Sequence, residues 1–159
     1  MELIGVEEVR AARETLHGVV RRTPLKHFRV LEQRCGVPVH LKCENLQRTG
    51  SFKIRGAYVR IRALSTAARA SGVVAASAGN HAQGVALAAA MLGTTATVYM
   101  PVNVALPKLA ATRGYGARVH LLGDVVEECR EAQTPHASRG DVGAEAPQLQ
   151  LLLDAADDL

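Results

Sequence analysis

"GVVAASAGNHAQGVALAAAMLGTTATVYM", Gly72 to Met100, holds a short apolar run, a turn, a helix of small residues and a second apolar run. "GVVAA" and "TATVYM" are short, apolar and punctuated by Gly72 and Pro101, which is how buried strands read. Between them, "SAGN" is a turn and "HAQGVALAAAMLG" is a helix of small residues that ends at Gly93. Strand, helix and strand at this spacing form the crossover unit of a parallel sheet. Downstream, "LPKLAATRGYG" (Leu106 to Gly116) is a further helix and turn, and "ARVHLL" is a further strand. The fold class is α/β, a parallel sheet with flanking helices.

Upstream, Val6, Val9, Ala12, Leu16 and Val19 recur at helical spacing, which predicts an amphipathic helix over 6–20. Pro24 ends any helix there. A short helix is expected over Phe28–Cys35, closed by Gly36. Val37, Val39, Leu41 and Cys43 alternate as in a strand, and "NLQRTG" is a loop. Ser51 is then expected to cap a helix whose inward face is Ile54, Ala57, Tyr58, Ile61 and Leu64. From residue 129 the text turns polar and weakly periodic, so 129–159 reads as a loop-rich tail with one short helix in "LQLLLDAADDL". The tripeptide Arg139–Asp141 within it is a chance match to an adhesion motif. The organisation expected is therefore one domain over 1–128 and an atypical tail over 129–159.

Composition narrows the function classes. The chain has 159 residues, of which 48% are hydrophobic and 21% charged, the balance of a globular domain. Aromatics make up only 3%, so small aliphatic side chains must fill the core. The net charge of +4 comes without a basic stripe interleaved with aromatics, which argues against a nucleic-acid partner. Cys35, Cys43 and Cys129 lack C-x-x-C spacing, so no metal site or disulfide framework is expected. No apolar run reaches membrane-spanning length and the N-terminus has no signal core, so the expected compartment is the cytoplasm.

Two stretches could carry chemistry. In "TGSFKIRGA", Thr49 to Ala57, Lys53 stands among small and apolar residues where a helix begins. The helix dipole disfavours its charge by at most about 1 kcal/mol at a surface. Burial could lower a lysine pKa by up to about 3–5 units, so desolvation would be the larger effect wherever the residue is buried. A neutral amine is what a Schiff base with a carbonyl cofactor requires. The plainer alternative is an ordinary lysine on an exposed first turn. "SAGNHAQG", Ser77 to Gly84, lies where a parallel strand passes into a helix, the edge at which open α/β sheets bind ligands. Backbone N–H groups there suit a carboxylate, and Asn80 offers both a donor and an acceptor. The plainer alternative is a capped turn. Neither G-x-G-x-x-G nor the phosphate loop of nucleotide-triphosphate enzymes is present.

Taken together, "SFKIRGA" and "SAGNHAQG" resemble the tryptophan-synthase-β-like (fold type II) pyridoxal-phosphate enzymes, and among them threonine ammonia-lyases (threonine/serine dehydratases) and serine racemases. "RTPL" (Arg22 to Leu25), "LKCENLQRTGSFK" and "LPKLAATRGYGARV" agree with the same pattern, over roughly residues 6–128. The resemblance implies pyridoxal 5'-phosphate as cofactor. It implies that Lys53 binds the cofactor covalently, that Phe52 lies beside its ring, and that Asn80 hydrogen-bonds its phenolic oxygen. It implies that Ser77, Gly79, Asn80 and His81 hold the carboxylate of an amino-acid substrate. The implied reaction turns threonine into 2-oxobutanoate, or serine into pyruvate, with release of ammonia. Isoleucine biosynthesis and homo-oligomeric full-length relatives follow from the same resemblance.

Two departures qualify it. Ala78 stands where the racemases carry a serine that transfers a proton, which favours elimination over racemisation. The family's Gly-rich phosphate loop has no counterpart here, and members are about twice this length or more. The expectation is the small domain plus part of the large one, the N-terminal portion of such an enzyme. Rival readings are a non-catalytic remnant or interaction fragment, a serine racemase, and a cysteine or threonine synthase of the same fold.

Overall fold

A computed structural model of the chain describes residues 4–138. These fall into two compact units that divide between Phe52 and Lys53.

In the N-terminal unit, α1 (Val6–Thr15), β1 (Leu25–His27), α2 (Arg29–Cys35), β2 (His40–Lys42) and a 3-10 turn (Glu44–Leu46) follow in order. The first helix stops five residues short of the expected Val20, and the chain turns over at Gly18, whose φ is +72°. Val6 and Val9 on its apolar stripe are exposed, and Leu16 just beyond it is buried. Gly36 closes α2 in the left-handed conformation, φ +71°, which a side chain would disfavour. The expected strand over 37–43 shrinks to three residues because Pro38 cannot donate to a ladder. It stands apart from the parallel sheet, pairing antiparallel with β1 in the register Leu25–Lys42, Lys26–Leu41 and His27–His40. Gln47, 2% exposed, ties the loop together: its Oε1 accepts from the Arg21 and Arg48 N–H groups, and its Nε2 donates to the Arg21 carbonyl. Lys42 Nζ donates to the Thr23 carbonyl, so much of "RTPL" and "LKCENLQRT" serves this local network.

The second unit holds α3 (Lys53–Ala63), α4 (Thr66–Ser71), β3 (Val73–Ala76), α5 (Asn80–Met91), β4 (Ala96–Met100), α6 (Leu106–Gly114), β5 (Arg118–Leu121) and α7 (Val126–Ser138). The three strands form one parallel sheet in the order β3-β4-β5, with Val73 opposite Ala96 and Thr97 opposite Arg118. Ala76, Tyr99 and Cys129 cluster with Val74, Val126 and Ala132, so α7 covers the face on which those strand residues lie. Strand alternation turns Val73, Ala75, Ala96, Val98 and Met100 to the opposite face, all of them buried. The helix α5 also packs on β3 and β4, and its side chains from His81 to Ala86 are all buried. A helix buried nearly all round must be small all round, which explains its alanines.

Three expectations need correction. Ser51 is buried, but its Oγ has no hydrogen-bond partner among the described residues, so it does not cap α3 through its side chain. The helix α4 went unread; Ser65 caps it by accepting from the Ala68 N–H. The loop expected from residue 129 is helical as far as Ser138, because Val126, Cys129 and Ala132 fall on one helical stripe that the sheet buries, and Glu127 and Glu128 complement the helix dipole. The Arg139–Asp141 tripeptide and the short helix expected in "LQLLLDAADDL" lie outside the described residues.

Candidate active site

The site is built where β3 gives way to α5. Ser77 extends the sheet by one step, its N–H donating to the Tyr99 carbonyl at 3.0 Å. Its buried Oγ turns back to accept from the Gly79 N–H at 3.3 Å. Gly79 is the residue before the helix, and Asn80, exposed, is the first residue within it. The next residue, His81, is 8% exposed. The first helical backbone bond runs from the Gln83 N–H to the Gly79 carbonyl, so the N–H groups of residues 80–82 precede the helical ladder. Gln83 is buried and its Nε2 has no hydrogen-bond partner among the described residues.

Lys53 reaches this place through a glycine. The helices α3 and α5 make the most extensive packing between any two elements, and Gly84 lies at their crossing. A Cβ on Gly84 would fall 2.9 Å from the Lys53 carbonyl carbon and 3.1 Å from the Ile54 nitrogen. The absent side chain therefore lets the first turn of α3 lie directly on α5, one helical turn beyond Asn80. Lys53, the first residue of α3, is half-buried. Ile54 behind it is fully buried and fixes how the helix starts.

A third helix completes the arrangement. Lys108, in the first turn of α6, donates from Nζ to Asn80 Oδ1. The hydroxyl of Thr112, fully buried, bonds back to the Lys108 carbonyl at 2.8 Å. Burial pushes the Tyr99 phenol up from its ordinary value. The Cys129 thiol is raised as well, by burial first and then by the neighbouring carboxylates of Glu128 and Glu127.

Of the residues singled out in the sequence, Ser77, Gly79, Asn80 and His81 are contiguous at the head of α5, and Lys53 joins them through Gly84. Phe52 is 47% exposed and is the last residue of the N-terminal unit. Two contributors went unread. A glycine inside a helix gives up about 0.5–1 kcal/mol relative to alanine, so Gly84 was itself a signal of close approach. A lysine in the first turn of a helix sits at the unfavourable end of the dipole, and Lys108 carries that mark. No cluster of three or more metal-ligating side chains occurs among the described residues.

The parallel sheet with flanking helices, and the turn that leads from β3 into α5, define an α/β protein of the open-sheet type, in which ligands bind at the carboxyl edge of the strands. The chain belongs to the pyridoxal-phosphate dependent enzyme family, whose pattern matches residues 16–144. It is 52% identical over 130 residues to an L-threonine ammonia-lyase of Thermotoga maritima, covering 82% of this chain and 32% of that one. It is 45% identical to a catabolic L-threonine dehydratase of Escherichia coli K12, covering 76% of this chain and 37% of the relative. The structure of maize serine racemase superposes with a TM-score of 0.82 at 30% identity, over 89% of this chain and 43% of that one. The chain thus spans about a third of the length of these curated relatives.

The residues present fit the family's cofactor. Its carbonyl requires a primary amine, and Lys53 supplies one on a turn held by the Gly84 contact. Its ring oxygen is an acceptor, and Asn80 keeps its amide N–H groups for such a partner while Oδ1 is occupied by Lys108.

Proposed function

We propose that this chain forms the lysine-bearing part of an ammonia-lyase that dehydrates and deaminates threonine, or serine, to the 2-oxo acid and ammonia. One observation carries the reading: Gly84 brings the turn with Lys53 onto the helix headed by Asn80. Pyridoxal phosphate, when bound, supplies the electron sink that makes the substrate Cα–H acidic. Lys53 would hold the cofactor through its side-chain amine and would serve as base for the substrate α-proton. Ser77, Gly79, Asn80 and His81, with the leading N–H groups of α5, hold the substrate carboxylate. In this reading Asn80 would donate to the cofactor's ring oxygen and Phe52 would flank its ring. Loss of the Cβ hydroxyl with a proton, as water, would leave an enamine, and its hydrolysis would give the 2-oxo acid and ammonia.

The same reading takes residues 1–128 as the family portion, with the helical turns to Ser138 added to it, and keeps the later residues as an atypical tail. It places the protein in the cytoplasm, with neither nucleic acid nor membrane as partner, and expects its full-length relatives to be homo-oligomers. Among the described residues no helix is long and apolar enough to cross a membrane. For the pathway we propose isoleucine synthesis, and an isoleucine requirement after gene deletion is its test, since one similar relative is named as catabolic.

The likeness to serine racemase favours a second reading, racemisation of serine. Against it stands Ala78, whose methyl group has no proton to transfer. Borohydride reduction with cofactor, followed by peptide mapping, is the test of the site: the label is expected on Lys53, and a label on Lys42 or Lys108 instead would reject it. Incubation with threonine and with serine tests the reaction. Elimination predicts 2-oxo acid; D-serine outpacing pyruvate would favour the racemase, and no product at all the non-catalytic remnant.

A further inference from the structure

Lys108 has no assigned role, yet its Nζ donates a hydrogen bond to the Asn80 side chain. An ammonium donates and never accepts, so the Asn80 atom facing it must be the carbonyl oxygen. That contact fixes the amide flip. The Asn80 NH2 group is turned away from Lys108, and it can only donate. Neither residue is placed by chance of local sequence: 28 positions separate them, and the packing of α5 on α6 brings them together. Lys108 is also held from behind. Pro107 precedes it within the first turn of α6, and the fully buried Thr112 bonds to its carbonyl. The ammonium thereby stands at the dipole-positive end of its own helix, beside the similarly positive end of α5. Such a cation is disfavoured on electrostatic grounds unless something negative or electron-rich comes to share the space.

We propose that Lys108 is a positioning residue of the ligand site: it orients the Asn80 amide as a pure donor toward the ring oxygen of the bound cofactor, and it adds a positive charge at the head of α5 for an anionic ligand. The inference rests on the reading of the site as one for pyridoxal phosphate. It goes beyond that reading by assigning a residue of α6 to the site and a fixed hydrogen-bonding sense to Asn80.

The test uses the full chain and three substitutions, Lys108→Met, Lys108→Arg and Asn80→Ala, with the double variant Lys108→Met/Asn80→Ala. Three measurements are made on each. The first is the 15N–1H resonance of the Asn80 side-chain amide without cofactor. The second is the cofactor dissociation constant with the absorption spectrum of the bound form. The third is borohydride trapping on Lys53. Lys108→Met is expected to shift the amide resonance, to weaken cofactor binding about threefold or more, and to change the ratio of the bound cofactor's absorption bands. Lys108→Arg, which keeps a donor, is expected to restore the spectrum. In the Asn80→Ala background, Lys108→Met is expected to leave the band ratio unchanged, because its route to the ring is already gone.

An Asn80 amide that ignores Lys108→Met overturns the proposal whether or not cofactor binds. So does an unchanged spectrum in Lys108→Met alongside normal trapping on Lys53, and in that case the reading of the cofactor site survives. A spectral change that persists in full in the Asn80→Ala background also overturns it, since Lys108 would then act without Asn80. If the unsubstituted protein traps no cofactor on Lys53, both the site reading and this role fall together.

Discussion

Gly84 shows what one residue controls. Replacing it with alanine improves helix propensity by up to about 1 kcal/mol, but the new methyl meets the Lys53 carbonyl carbon at 2.9 Å. That neighbour is backbone and cannot rotate aside, so α3 must shift along its contact with α5. Overpacking of this kind costs about 1–3 kcal/mol. Gly84→Ala is therefore expected to lower stability by about 1 kcal/mol or more, and to slow borohydride trapping on Lys53 by a larger factor than it lowers the urea midpoint. Trapping that stays at the original rate would mean that α3 and α5 yield elsewhere and that Gly84 does not position the lysine. Gln47 is the polar counterpart. Gln47→Ala would strand the Arg21 N–H and carbonyl, each hydrogen-bonded to that side chain. These bonds are part-buried and water can replace some of them, so a loss of about 1 kcal/mol is expected in chemical denaturation. Gln47→Glu, which keeps the acceptor but loses the donor, should retain part of it.

At the scale of elements, α7 is held on the sheet by Cys129, fully buried against Ala76 and Tyr99. Its Sγ donates to the Leu122 carbonyl at 3.0 Å. Burial raises the pKa of this thiol from an ordinary 9.0, and that of Tyr99 from 10.0. The sign follows from proton counts. Above an unfolded pKa the unfolded chain has lost a proton that the folded chain still holds, so stability falls as pH rises. The loss should begin near pH 9.0 with Cys129 and steepen beyond 10.0 with Tyr99. At neutral pH, Cys129→Ala is expected to cost about 1 kcal/mol for the buried volume removed. Because alanine does not titrate, the gap between variant and parent should narrow as pH climbs through 9.0. Urea midpoints measured across that range check it; two curves running parallel would show that the thiol is not the titrating group.

For the whole molecule, the distribution of the core decides how it opens. Among the described residues of the N-terminal unit, Leu16 is the one buried apolar side chain, and the rest of its buried set is polar: Thr23, Gln47, Thr49 and Ser51. The second unit holds the sheet, α5 and the fully buried Ile54, Val98 and Met100. Opening free energies scale with buried apolar contacts. Native-state hydrogen exchange should therefore show amides of β3, β4, β5 and α5 exchanging only through global unfolding, and amides of β1, β2 and α2 through smaller openings. Equal protection in the two units would contradict this account.

The residue order determined a good deal by itself. The order of β3, α5, β4, α6 and β5 and the glycine closing α2 are local matters, and the strand–helix–strand spacing implies the parallel pairing. Apolar period, small-residue runs and Gly or Pro punctuation encode them within a dozen residues. The candidate residues Lys53, Ser77, Gly79, Asn80 and His81 were legible for the same reason, as contiguous motifs. What the tertiary structure alone decided involves partners distant in the chain. Antiparallel pairing of β1 with β2, the helical course of 129–138 and the buried, unpartnered Ser51 hydroxyl all depend on what packs opposite. So do the seat of Lys53 on Gly84, and the hold of Lys108 on Asn80. These contacts form only after separated segments are brought together, for Lys108 and Asn80 across 28 positions, and no periodicity in the sequence records which side chain will be waiting there.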